Sequence, residues 1–138
     1  MRTLAEIGAF LDAESDSSSA AECARDYLAL GEEVLEHWLT AHDLVPTKRR
    51  SESFRLLALH RQAAKGEPSF NACRETCREL VYHYNLITAE PSSEVAAKRA
   101  TMMRFVASHL YLFICGKMQV AGLGEFCCAS RHLRTESA

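Results

Sequence analysis

The apolar positions of the chain recur every three or four residues along almost its whole length, and no segment alternates convincingly with a period of two. This spacing places apolar side chains on one face of an α-helix. Five segments show it, separated by short polar stretches that contain Pro, Gly or Ser. We therefore predict an all-α fold, a helical bundle of four principal antiparallel helices with short terminal helices.

Residue types at the segment ends predict where the first three helices lie. A Ser or Thr followed three residues later by Glu is the pattern of a capping box, and it predicts helices at about 3–13 and 19–42. Pro46 interrupts the chain after the second of these helices. Thr47 is expected to cap a third helix that extends to about residue 65.

The remaining two helices are predicted at about 69–88, capped by Ser69, and at about 93–118. Between residues 102 and 115 the fifth helix is apolar on nearly every side, with Arg104 as its one definite charge. A helix of this kind lies among other helices or in an oligomer interface.

These elements predict a single all-helical domain of 138 residues. A short N-terminal helix and polar linker occupy 1–18, the bundle occupies 19–118, and a C-terminal segment occupies 119–138. A chain of this length buries a substantial core without metals or disulfides. The residues that we expect to be largely buried are Trp38, Phe54, Leu57, Leu80, Val81, Tyr84, Val106, Leu110 and Phe113.

The composition agrees with a water-soluble globular protein. The chain is 48% hydrophobic and 25% charged, which excludes a disordered or collagen-like polypeptide. No segment supplies the roughly 20 uninterrupted apolar residues of a membrane span, and the first residues lack the apolar core of a signal peptide. We therefore expect a cytoplasmic protein with no membrane partner, whose six cysteines are thiols.

Charge is distributed unevenly along the chain. Residues 1–43 carry ten acidic and two basic side chains, whereas the remainder carries eight acidic and fourteen basic ones. Packing of the two parts against each other, within the fold or in a dimer, is the expected explanation. The densest basic run, Lys48-Arg49-Arg50, lacks interleaved aromatic residues and a helix-turn-helix pattern, so we expect no nucleic-acid partner.

The histidines point to a candidate metal site. An up-down arrangement of the helices is expected to bring His37 and His83 to the same end of the bundle. Glu33 and Glu79 each precede one of these histidines by four residues. Carboxylates and imidazoles from two helices are the ligands with which helical bundles hold iron or manganese. However, di-iron bundles use a spacing of three, and a Glu–His pair four residues apart is also an ordinary surface pair.

The cysteines are weaker metal candidates than these His and Glu residues. Cys73 and Cys77 share a helical face, but that face is the apolar stripe of the fourth helix and favours burial. Cys127 and Cys128 are adjacent and precede His132. This spacing matches no zinc pattern, and oxidation is the chemistry that an exposed cysteine pair favours.

The sequence contains no Gly-rich phosphate loop, nucleophile elbow or HExxH motif, so we lean against an enzyme. It predicts a small interaction or regulatory module without catalysis, most simply a homodimer. The alternative is a protein that binds a transition metal or haem through His37, His83, Glu33 and Glu79.

Overall fold

Within residues 1–13 and 19–123, which the structure describes, the computed structural model contains five α-helices and one 3₁₀ segment. The all-α prediction is confirmed. The 3₁₀ segment spans Pro68–Cys73. The helices are α1 (Leu4–Asp12), α2 (Ala20–Ala41), α3 (Arg55–Gly66), α4 (Arg74–Ala89) and α5 (Glu94–Ala121). Cys127, Cys128 and His132 lie outside the described residues.

Local capping explains where α1 and α2 begin. The Thr3 hydroxyl accepts a hydrogen bond from the Glu6 amide at 3.1 Å, and the Glu6 carboxylate accepts one from the Thr3 amide at 2.8 Å. The Ser19 hydroxyl accepts from the Glu22 amide at 3.2 Å. Each bond satisfies an amide that has no partner within the helix. The predicted starts of these two helices are confirmed.

The prediction that Thr47 caps the third helix is wrong, because α3 begins only at Arg55. The Thr47 amide donates to the Gln62 side chain at 2.8 Å, so this segment lies against the side of α3 rather than at its start. Glu52 and Ser53 have φ angles of 53° and 73°. A right-handed helix does not continue through left-handed residues, so 47–54 is a folded connection.

The start of the fourth helix also differs from the prediction. Residues 68–73 form the 3₁₀ segment, and α4 begins at Arg74. The Ser69 hydroxyl donates to the Glu67 carboxylate at 2.6 Å instead of capping a helix. The 3₁₀ segment places the buried Phe70 ring between Trp38 and Phe113, at centroid distances of 4.6 and 5.6 Å.

Helices α2, α4 and α5 pack against one another. The end of α2 and the end of α5 both meet the segment that precedes α4, through the Trp38 and Phe113 contacts with Phe70. Thus α4 is antiparallel to the other two. Helix α1 crosses α5 in the antiparallel sense, since Tyr111 donates to the Leu4 carbonyl and Arg104 to the Leu11 carbonyl.

Most of the residues predicted to form the core are buried between the helices. The buried members are Trp38, Leu57, Leu80, Val106 and Leu110. The members that are half-buried and pack against the core are Phe54, Val81, Tyr84 and Phe113. In the part of the chain that the structure describes, no helix is long and apolar enough to cross a membrane.

Leu110 tests this packing because its side chain is fully buried where α5 meets α2. We expect Leu110→Ala to lower the free energy of unfolding by about 2–5 kcal/mol, through lost burial and the cavity that remains. Urea denaturation measures this change. The control Val45→Ala removes a side chain that is 83% exposed and should change stability by less than about 0.5 kcal/mol. Equal effects of the two substitutions would contradict the placement of α5.

Candidate functional site

Helix α5 has one face that other helices cover and one face that no described residue covers. Its covered face packs on α1, α2 and α4 through buried residues that include Ala96, Ala100, Met103, Ala107, Leu110 and Ile114. The uncovered face nevertheless carries large apolar side chains, among them Phe105 at 60% and Leu112 at 62% exposure. Helix α5 is apolar on nearly every side because apolar residues occupy both its core face and its exposed face.

We call the uncovered surface the α5 face. Its residues follow the helix in steps of three or four and lie within roughly 100° of one another around the axis, at 3.6 residues per turn. They are Met102, Phe105, His109, Leu112, Gly116 and Val120. The face contains no Lys, Arg, Asp or Glu.

The cations closest in sequence to the α5 face are held elsewhere. The Arg104 side chain donates to the Leu11 carbonyl at 2.8 Å, which directs it toward α1. The Lys117 ammonium lies 5.6 Å from the centroid of the Phe113 ring. Exposed apolar side chains in one uncharged stripe are typical of a surface that contacts another macromolecule.

One pair of the predicted metal ligands holds the N-terminus of the chain on α2. Glu33 accepts hydrogen bonds from the Arg2 amide and from two nitrogens of the Arg2 guanidinium at 2.9–3.1 Å. The His37 Nε2–H group donates to the Arg2 carbonyl at 2.7 Å. Glu33 and His37 thus both bind Arg2.

The other predicted pair lies on α4. His83 is buried, and its Nε2 is 3.7 Å from a Glu79 carboxylate oxygen. The Tyr82 ring lies edge-on to the imidazole at a centroid distance of 5.4 Å. The buried Nδ1 atom of His83 has no hydrogen-bond partner in the structure.

The two pairs lie at different levels of the bundle. A Cβ atom on Gly31 of α2 would be 3.2 Å from Leu80 of α4, so these residues lie opposite each other. His37 follows Gly31 by six residues and His83 follows Leu80 by three, in antiparallel helices. At 1.5 Å per residue the histidines are separated by about 14 Å along the axis. They are therefore not brought to the same end.

No group of three or more His, Cys, Asp or Glu side chains in residues 1–13 and 19–123 is arranged to hold a metal ion. The structure does not combine Glu33, His37, Glu79 and His83 into one site. Metal or haem binding by either pair stays a prediction, which metal content and the absorbance spectrum of the purified protein measure directly.

Cys73 and Cys77 are buried, as the apolar stripe predicts, and Cys73 lies beside the buried His60. The Cys73 thiol and the His60 Nε2–H group both donate to the Phe70 carbonyl, at 3.2 and 2.7 Å. The hydrogen bond with Cys73, together with burial, raises the pKa of Cys77 well above its usual range. This arrangement fixes the 3₁₀ segment, and we assign no reaction to it.

Comparison of the chain with known protein families, curated proteins and solved structures finds no match. Among the described residues, the α5 face is the candidate functional site.

The Arg2–Glu33 contact makes stability depend on pH. The hydrogen bond from the Arg2 side chain holds the pKa of Glu33 below its usual range. Because the folded-state pKa is lowered, this stabilisation is present above the unfolded pKa of about 4.3 and is lost as pH falls through the lower, folded value.

We therefore expect Glu33→Gln to cost about 1–2 kcal/mol at pH 7 and progressively less as pH falls below about 4. Denaturant unfolding of both proteins across this pH range measures the difference. Glu90→Gln alters an exposed carboxylate that forms no ion pair in the described structure and serves as control. A Glu33→Gln cost that does not vary with pH would contradict the assignment.

Proposed function

We propose that the protein is a non-catalytic helical interaction module that self-associates through the α5 face into an antiparallel homodimer. The proposal rests on the concentration of exposed apolar side chains on α5. Five of the nine exposed large hydrophobic side chains in the described part of the chain lie on α5. These residues are Val95 and four members of the α5 face, Met102, Phe105, Leu112 and Val120.

The spacing of the α5 face supports a second helix as its occupant. Met102, His109 and Gly116 are seven residues apart, and Phe105 and Leu112 lie between them in the same seven-residue period. This is the spacing with which two helices pack side by side. A partner helix of the same sequence supplies the same period and an equally uncharged surface.

Shape complementarity supports a second copy of this chain. A Cβ atom on Gly116 would meet nothing within 4 Å, so Gly116 is an open position on the face. In an antiparallel pair that places Phe105 of one copy opposite Gly116 of the other, the largest side chain of the face fills this gap. Two-fold symmetry repeats the contact, since both copies present the same surface.

The size of the contact indicates how strong the dimer is. In this register about 22 residues of each α5 overlap, a length of about 33 Å. A strip about 10 Å wide then buries roughly 300 Å² per copy, below the roughly 800 Å² of a standard interface. We therefore expect a reversible dimer that dissociates on dilution.

Phe105 tests the proposed interface. We expect the unaltered protein to change from monomer to dimer with rising concentration in sedimentation equilibrium. Phe105→Asp should remain monomeric, because it places a charge from each copy in an apolar contact. Val45→Asp makes the same change at a residue that is 83% exposed on another segment, and it should dimerise normally.

Two results would contradict this proposal. One is a monomeric wild-type protein at the highest accessible concentration. The other is a Phe105→Asp protein that dimerises as strongly as Val45→Asp. Circular dichroism confirms that both variants retain the helical fold.

A substitution at Gly116 is expected to change monomer stability and dimer affinity in opposite directions. Because Gly is unfavourable inside a helix and Gly116 has free space around it, Gly116→Leu should stabilise the monomer by about 0.5–1 kcal/mol. The same side chain fills the gap that receives Phe105, so dimerisation should weaken about tenfold or more, or about 1.4 kcal/mol. Thermal unfolding and sedimentation equilibrium measure the two effects. Unchanged dimerisation would contradict the proposed register.

A further inference from the structure

A second surface, formed by α3 and its neighbours, has a different chemical character. Two adjoining open cavities of about 680 and 530 Å³ share Arg61 and Lys65 in their walls. The first also includes Arg49 and Arg50, and the second includes Arg74. We call these two cavities the basic groove. Five cationic side chains line it, and no carboxylate does.

The folded connection before α3 assembles the groove. Arg61 and Lys65 are exposed and lie one turn apart on α3. The connection lies against α3 through the Thr47–Gln62 hydrogen bond and places Arg49 and Arg50 beside the helix. Arg74, the first residue of α4, completes the set from the other side.

These five cations differ from three other arginines of the structure, which are held by carboxylates. Arg2, Arg55 and Arg78 each form an ion pair with a glutamate at 2.9–3.1 Å. Within residues 1–13 and 19–123, none of the five groove cations forms an ion pair. Each guanidinium or ammonium group of the groove therefore retains its capacity to bind an external anion.

Glu52 is a carboxylate near the groove, and its negative charge is already engaged. Arg78 donates two hydrogen bonds to it at 3.0 and 3.1 Å. The hydrogen bond from Arg78 lowers the pKa of Glu52, and the positive charges of Arg74 and Arg61 lower it further. Unbalanced positive charge thus remains in the groove of a chain with a net charge of −2.

We propose that the basic groove binds a compact, multiply charged phosphate anion such as a diphosphate or triphosphate group. Arginine guanidinium groups form paired hydrogen bonds with phosphate oxygens, and four of the five cations are arginines. Each cavity is within the roughly 300–1,000 Å³ of small-molecule sites. This inference is independent of the proposed dimer.

The composition around the groove favours a compact anion over a polynucleotide. No Phe, Tyr or Trp lines either cavity, and the His60 ring in the second wall is buried and donates to the Phe70 carbonyl, so bases find no exposed aromatic ring on which to stack. Helix α2, which packs on α3, carries Glu32 and Glu36 close to the Arg55 side chain. An extended phosphate backbone that continued past the groove toward α2 would meet these negative charges.

Isothermal titration calorimetry of the full chain with sodium tripolyphosphate tests the proposal, in buffer of about 50 mM ionic strength to limit screening. We expect saturable binding of one tripolyphosphate per chain, about tenfold or more tighter than orthophosphate, because one anion engages several cations. Arg61→Gln/Lys65→Gln should weaken tripolyphosphate binding by about tenfold or more.

The control Arg25→Gln/Lys98→Gln removes the same charge from two exposed residues outside the groove, and it should bind as the unaltered protein does. Circular dichroism checks the fold of both variants. Arg74→Gln, at a single exposed position, provides the same test if the double groove variant does not fold.

Three outcomes would overturn the proposal. The first is the absence of saturable tripolyphosphate binding to the unaltered protein. The second is an equal loss of affinity in the groove variant and in the control, which would show only a general charge effect. The third is tighter binding of a single-stranded oligonucleotide than of tripolyphosphate, which would assign the groove to nucleic acid.

Discussion

The structure depends on the close approach of three helices to Gly31 of α2. A Cβ atom there would lie 3.2 Å from a methyl carbon of Leu56 on α3 and 3.2 Å from one of Leu80 on α4. A methyl carbon of Leu110 on α5 would be 3.6 Å away. Because core packing is dense, a Cβ atom at this position would require the Leu56 and Leu80 methyl groups to shift by a few tenths of an ångström. Glycine at this position therefore allows α3, α4 and α5 to approach α2 closely at one level.

The sides of α3 and α5 that pack against α2 determine which sides of these helices carry the two candidate surfaces. With Leu56 fixed against α2, the opposite side of α3 carries Arg61 and Lys65 outward beside its preceding connection. With Leu110 fixed against α2, the opposite side of α5 presents Phe105 and Leu112 to solvent. The exposed side chains of both surfaces lie outside the central packing, so within the described residues both surfaces are open to other molecules.

The sequence predicts the features that depend on neighbouring residues. Thr3 and Glu6 form their capping box within one turn, so the pattern suffices to place α1. The start of α3 depends instead on Gln62, which lies fifteen residues beyond Thr47. It also depends on left-handed backbone at Glu52, a residue type that does not predict this conformation. The same distinction explains why the two predicted metal-ligand pairs do not form one site. Each Glu–His pair is a local feature of one helix, whereas the distance between the pairs along the bundle depends on how the helices pack.

The candidate sites follow this distinction too. The apolar excess of α5 is visible in the sequence, but which side stays uncovered depends on how α1, α2 and α4 pack. The groove joins Arg49, Arg61 and Arg74, which lie in three separate segments, so the run at 48–50 alone did not indicate an anion site.

The two surfaces also differ in how they respond to salt. The α5 face has no formal charge, so a contact through it relies on burial of apolar area, which salt screening does not weaken. The groove acts through positive charges in solvent, and anion binding there weakens as ionic strength rises. Ionic strength therefore separates self-association from anion binding in a single sample. A salt-sensitive dimer would point to charged residues outside the α5 face, and salt-resistant anion binding would point to contacts other than exposed cations.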